Sequence, residues 1–110
     1  MDPQGERIAR NEAAYRDVNE AIRAGRADQD ADAPRPFVCE CGQLGCNQLV
    51  ELTMREYEAV RANPRRFFMV AGHEIPDVEF VVERHDRFLV AEKHDHAAEI
   101  AEATDPRSAG

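Results

Sequence analysis

The chain has no run approaching 18 apolar residues, so nothing in it predicts a membrane-spanning helix. Its opening residues, MDPQGERIARNEAAYR, are polar and hold no apolar h-region. That speaks against a secretory leader and for a cytoplasmic protein whose cysteines stay reduced. Basic charge is also in short supply. There are 22 acidic residues against 14 basic ones, a net charge of −8. An acidic surface repels phosphates, so general nucleic-acid binding is not expected. Arg55, Arg61, Arg65 and Arg66 do cluster, but they read as a solvated helix face that complements a C-terminal dipole. Ser108 is the sole serine, which leaves no serine-based triad, and no glycine-rich phosphate loop is present. Large apolar side chains are scarce outside residues 37–90, because much of the 43% hydrophobic content is alanine. A core drawn from about half of a 110-residue chain is small, and small cores commonly need a covalent or metal staple.

What is present is a concentration of sulfur. Cys39, Cys41 and Cys46 all lie in PFVCECGQLGCNQLVEL, and no fourth cysteine exists. An odd count leaves one thiol over in any disulfide scheme, and a bridge between Cys39 and Cys41 would be strained in an extended segment. The spacing C-x-C-x4-C instead suits a tetrahedral zinc site built from thiolates and imidazole. Gly42 and Gly45 sit inside the loop, where glycine permits a tight turn around an ion. Phe37, Val38, Leu49 and Val50 flank it and would shield it from water.

The fourth ligand must come from elsewhere. His73, in AGHEIP, follows an expected core strand and has an anchored backbone, so it is the first choice. His85, at a hairpin tip, comes next, and His94 and His96 fall in a polar tail. Glu40 and Glu74 are weaker candidates, since three thiolates already supply ample negative charge. Iron–sulfur ligation by the same residues is the less usual alternative to Zn2+. A hydrolytic site could be drawn with Glu74 as base, but the position four after His73 is Asp77, so the H-E-x-x-H pattern is missing. An electron-rich metal with three thiolates is also a poor Lewis acid.

The rest of the chain reads as an α+β fold: a small antiparallel sheet of three or four strands carrying one packed helix, a zinc-knuckle-like loop and an additional N-terminal amphipathic helix. That first helix occupies residues 1–25, with Ile8, Asn11, Tyr15, Val18 and Ile22 recurring at helical spacing and Gly25 as its stop. Residues 26–36 are an acidic Pro/Ala linker, and residues 37–93 are the zinc-binding domain. Within it, Thr53 and Glu56 form a capping box for a helix closed by Pro64, with Met54, Tyr57 and Val60 as its inner stripe. Strands follow over 66–71, 78–84 and 87–93. Residues 94–110 contain Ile100 as their one large apolar side chain; a weak helix over 96–103 could form, but nothing compels it to pack, and a disordered tail is expected.

The segments RNEAAYRDVNEAI, FVCECGQLGC, ELTMREYEAVRANPRRFFMVAGHEIPDVEFVV and VAEK resemble a group of short uncharacterised proteins of high-GC actinobacteria, over about residues 6–93. The resemblance implies that Cys39, Cys41, Cys46 and His73 belong to a shared pattern and that His94 and His96 do not. The functional expectation is a non-enzymatic zinc protein with a structural metal, acting as a protein-interaction or regulatory module. Its partner, another protein or a second copy, would engage the N-terminal helix. The alternatives are a zinc–thiolate redox sensor and a small metallohydrolase using Glu74.

Overall fold

The computed structural model describes residues 3–26 and 30–107. The fold is α+β, as expected, with three helices and two small antiparallel sheets. Helix α1 (Pro3–Ala24) precedes β1 (Arg35–Val38), the cysteine loop and β2 (Leu49–Leu52). Helix α2 (Met54–Arg61) then precedes β3 (Arg66–Met69), β4 (Glu79–Arg84), β5 (Leu89–Lys93) and helix α3 (Asp95–Ala103). β1 pairs with β2, while β5 lies between β3 and β4. The strands therefore divide into a two-stranded and a three-stranded sheet. The backbone N–H of Glu40, in the cysteine loop, donates to the Phe68 carbonyl of β3 at 3.0 Å and ties the two sheets together.

The capping box is present in full. The Thr53 side chain accepts from the Glu56 N–H, and the Glu56 carboxylate accepts from the Thr53 N–H. Tyr57 and Val60 then face the core. Phe37 of β1 stacks on Tyr57 at 4.6 Å, and Phe68 meets both rings edge-on. These contacts centre the main core between the two sheets and α2, with Leu52, Val50, Phe67, Met69 and Leu89 around them.

Two expectations need correction. Residues 95–103 are not a disordered tail but helix α3, which packs against α1. Its buried face is Ala97, Ala98, Ile100 and Ala101, opposite a helix that buries Gly5, Ala9 and Ala13. Alanine adds little apolar area, yet small residues let two helix backbones approach closely, and that is how an alanine-rich segment is held. The second correction concerns α1. Its buried residues are Gly5, Ala9, Glu12, Ala13, Arg16 and Asn19, while Val18 is 47% exposed. Ile8, Tyr15 and Ile22 flank this face half-buried. The helix docks through polar groups with a margin of apolar ones.

Each of those polar groups has a distant partner. Arg16 donates to the Pro64 and Ala101 carbonyls, both at 2.8 Å, and its guanidinium lies 4.7 Å from the centre of the Phe67 ring. Glu12 and Glu79 both pair with Lys93, and all three are buried. Burial raises the Glu12 carboxyl well above the usual range, against the pull of Lys93. The arginine cluster near α2 is not a free surface either. Arg61 is buried, and Arg55, Arg65 and Arg66 pair with Asp32, Glu102 and Glu92.

The expected linker over 26–36 and tail over 94–110 include residues 27–29 and 108–110, which lie outside the described residues, as do 1–2 of the first helix. The last two linker residues, Arg35 and Pro36, belong to β1, and Arg55 N–H bonds the Ala31 carbonyl.

Lys93→Ala should lower stability by about 3–5 kcal/mol in urea denaturation, because it leaves two buried carboxylates without a counter-charge. Replacing all three residues together by apolar ones of similar volume (Lys93→Met, Glu12→Leu, Glu79→Leu) should recover most of that loss. A single Lys93→Ala change that leaves the urea midpoint unmoved would contradict the buried pairing.

Candidate metal centre

The chain delivers three sulfurs and one imidazole to a single point from two segments. The first segment runs from the end of β1. Cys39 N–H continues the β1–β2 ladder by donating to the Gln48 carbonyl at 3.0 Å, so the first thiol is fixed by sheet pairing. Cys41 follows after one residue, and the loop returns through Gly45, whose φ of +82° is the left-handed conformation that glycine tolerates. Cys46 closes the turn with its N–H on the Gln43 carbonyl. Gly42 plays a different part from the one its place in the loop suggests. Its φ is not positive, and its missing side chain makes room for Ile8.

The second segment leaves β3. Val70 N–H donates to the Cys39 sulfur at 3.3 Å. Gly72, at φ +94°, then reverses the chain, and His73 N–H closes the turn on the Val70 carbonyl. His73 Nδ1 thereby stands 3.6 Å from the Cys39 sulfur and 3.8 Å from that of Cys46.

The donor atoms of Cys39, Cys41, Cys46 and His73 all lie within 4.8 Å of one another, an arrangement that can hold a metal ion. Cys39 and Cys41 are fully buried, and Cys46 and His73 are partly open to solvent. Cys41 is drawn down to about 5 by its hydrogen bond with the Cys39 thiol, with help from the Gln43 backbone, His73 and Cys46. The same bond, together with burial, pushes Cys39 up. The lowered Cys41 thiol favours a thiolate, the form that binds metals.

The other candidates lie elsewhere. His85 is exposed at the β4–β5 turn, stacked on Phe88 and bonded to Glu83 at 2.8 Å. His94 stacks on Phe80 and contacts the Pro76 carbonyl, and His96 bonds Glu99 on α3. Glu74 accepts from the Gly72 N–H at 2.9 Å and sits 4.0 Å from Arg84, engaged with its own turn. Glu40, although placed between two cysteines, has its carboxylate bonded to Arg61, Asn19 and the Phe68 N–H.

Glu40 and its partners form a buried network beside the four donors that the sequence did not disclose. Arg61 Nη2 donates to Glu40 at 2.6 Å with both groups essentially sealed from water. Burial still raises the Glu40 carboxyl above its ordinary range, against the opposing effects of Arg61 and Asn19. No spacing rule links residues 19, 40 and 61. The only available signal was a charged residue in a tight cysteine loop, which ordinarily faces solvent.

Compared with known proteins, the chain matches no family model, no curated sequence and no solved structure. The four-donor geometry alone therefore marks the candidate site. His73→Ala should abolish stoichiometric metal uptake, measured as metal per chain by native mass spectrometry, while His85→Ala should retain it. The reverse pattern would transfer the fourth ligand to the hairpin.

Proposed function

We propose that this is a small non-enzymatic zinc-binding protein in which the ion is structural, and that it acts through its surface as a protein-interaction or regulatory module. The observation that carries this reading is the spacing of the four donors. Around zinc, with Zn–S about 2.3 Å and Zn–N about 2.0–2.1 Å, tetrahedral ligands stand about 3.8 Å apart for two sulfurs and about 3.6 Å for sulfur and nitrogen. The distances from His73 Nδ1 to Cys39 and Cys46, 3.6 and 3.8 Å, already match. All four donors lie within 4.8 Å of one another, close to the spacing of ligands on one ion.

Several features favour a structural over a catalytic role. Four protein ligands leave no open position for water or substrate. Three thiolates satisfy the metal's charge and weaken it as a Lewis acid. Glu74, the base that a hydrolytic alternative would need, is bonded to Gly72 N–H. The staple also answers a need of the fold, since zinc supplies about 10 kcal/mol or more of apparent folding free energy in small domains.

For partner binding, the docked face of α1 is already occupied within the chain. The apolar side chains left to a partner include Val18 on its outer face and Leu44, 86% exposed at the tip of the cysteine loop. The free thiols suit a reducing, cytoplasmic setting. Among the described residues no helix is long and apolar enough to cross a membrane.

Redox control of the same site is a second reading, favoured by Cys46, the one sulfur partly open to solvent. Peroxide titration with a zinc-responsive dye separates the two: release at modest peroxide supports redox control, and retention supports a purely structural ion.

The main test is removal of the metal. The purified chain should carry one zinc per molecule, and a strong chelator should lower its melting temperature steeply. An unchanged melt after verified removal would refute the structural role.

A further inference from the structure

Two contacts of helix α1 with the metal loop stand out, and neither involves a ligand atom. The first is Asn19, which is fully buried. Its Nδ2 donates to the Val38 carbonyl at 2.9 Å and to Glu40 Oε2 at 2.8 Å, and its Oδ1 accepts from the Val38 N–H at 2.9 Å. All three bonds go to the residues on either side of Cys39. Through Glu40, the same amide is linked to Arg61 on α2 and to the Phe68 N–H on β3.

The second place is Ile8. A Cβ at Gly42 would stand 2.3 Å from Ile8 Cγ2 and 3.3 Å from Ile75 Cδ1. Ile8 is thus seated against the residue that follows Cys41, beside the residue two beyond His73. The atom in the way is on a β-branched side chain close to the helix backbone, so it cannot swing aside as the tip of a long side chain would. Together, Asn19 and Ile8 place α1 across both ligand-bearing segments, each contact one or two residues from a donor.

We infer that docking of α1 and occupation of the four-ligand site are coupled, with Asn19 and Ile8 acting as positioning residues for the metal loop. This rests on the metal reading proposed above. With the ion bound, the loop holds Val38, Glu40 and Gly42 in the arrangement that fits Asn19 and Ile8. Without it, the sulfurs have no common partner, and the seat for α1 loses its fixed shape. Coupling of this kind is reciprocal: what the metal contributes to helix docking, the docked helix contributes to metal affinity. The competing view is that α1 is held only by its remote anchors, Glu12 on Lys93 and Arg16 on Pro64 and Ala101, and is indifferent to the metal.

The experiment measures zinc affinity of the full chain by competition with a chromophoric chelator. Asn19→Ala should weaken zinc binding about 10-fold or more, the usual effect of removing a group that orients ligands. Gly42→Ala should weaken it as well, by collision with Ile8, and the added change Ile8→Ala should restore part of the loss. A simple helix-destabilising effect would make the double variant worse, not better. In the unmodified chain, hydrogen exchange of the α1 amides should accelerate when zinc is chelated. Zinc binding by the unmodified chain with unchanged affinity in Asn19→Ala and Gly42→Ala, or α1 protection indifferent to chelation, would overturn the coupling and leave the metal reading intact. A chain that takes up no zinc at all would overturn both.

Discussion

The carboxylate of Glu40 has no access to water, and a buried carboxylate must be answered by donors. Here they come from three directions: Arg61 on α2, Asn19 on α1 and the Phe68 N–H on β3. One side chain in the middle of the cysteine loop therefore fixes the relative positions of two helices and a strand. The sulfurs of Cys39 and Cys41, on either side of it, take their places as a consequence. Removing Glu40 would leave Arg61 buried beside three aromatic rings with its strongest partner gone. The gathering of the four candidate donors and the assembly of the fold are, at this point, one constraint.

The interior as a whole follows the same logic. Phe67 is a core aromatic, yet three cations stand near its ring: Arg16 at 4.7 Å, Lys93 at 5.1 Å and Arg61 at 5.7 Å. Glu12 and Glu79 pair with Lys93 and Glu40 with Arg61, while Arg16 is held by the Pro64 and Ala101 carbonyls. A chain with few large apolar residues has covered its core with long charged side chains, whose hydrocarbon stems pack and whose heads pair. Such pairs add less net stability than apolar packing would. What they add is definition, because each charge has one place where it is matched. The fold therefore gains a specific arrangement from groups that do little for its overall stability.

Much of this was legible in the sequence where local chemistry dictates geometry. The Thr53–Glu56 cap, the β4–β5 hairpin and the convergence of Cys39, Cys41 and Cys46 on His73 follow from spacing and turn residues. What was not legible depends on distant partners. Arg61, Lys93, Glu12 and Arg16 look like surface residues until the groups facing them are known, and those lie between 14 and 85 positions away. The apolar seam of α1 was read one helical step off its buried centre for the same reason: hydrophobicity marked the margin, while the middle carries Glu12, Arg16 and Asn19. The docking of helix α3 is not legible because alanine packs by being small, a property that hydropathy does not register.

The long reach of Arg16 also bears on the order in which the molecule can be built. Its acceptors at Pro64 and Ala101 are made 48 and 85 residues later, and Lys93 follows Glu12 by 81. During synthesis Glu12 and Arg16 on the inner face of α1 must wait for most of the chain before their partners are made. A greasy helix held back for that interval would invite aggregation. One whose inner face carries a carboxylate, a guanidinium and an amide remains well solvated until its counterparts emerge, so the chemistry that hid this face from prediction suits a nascent chain kept waiting in water.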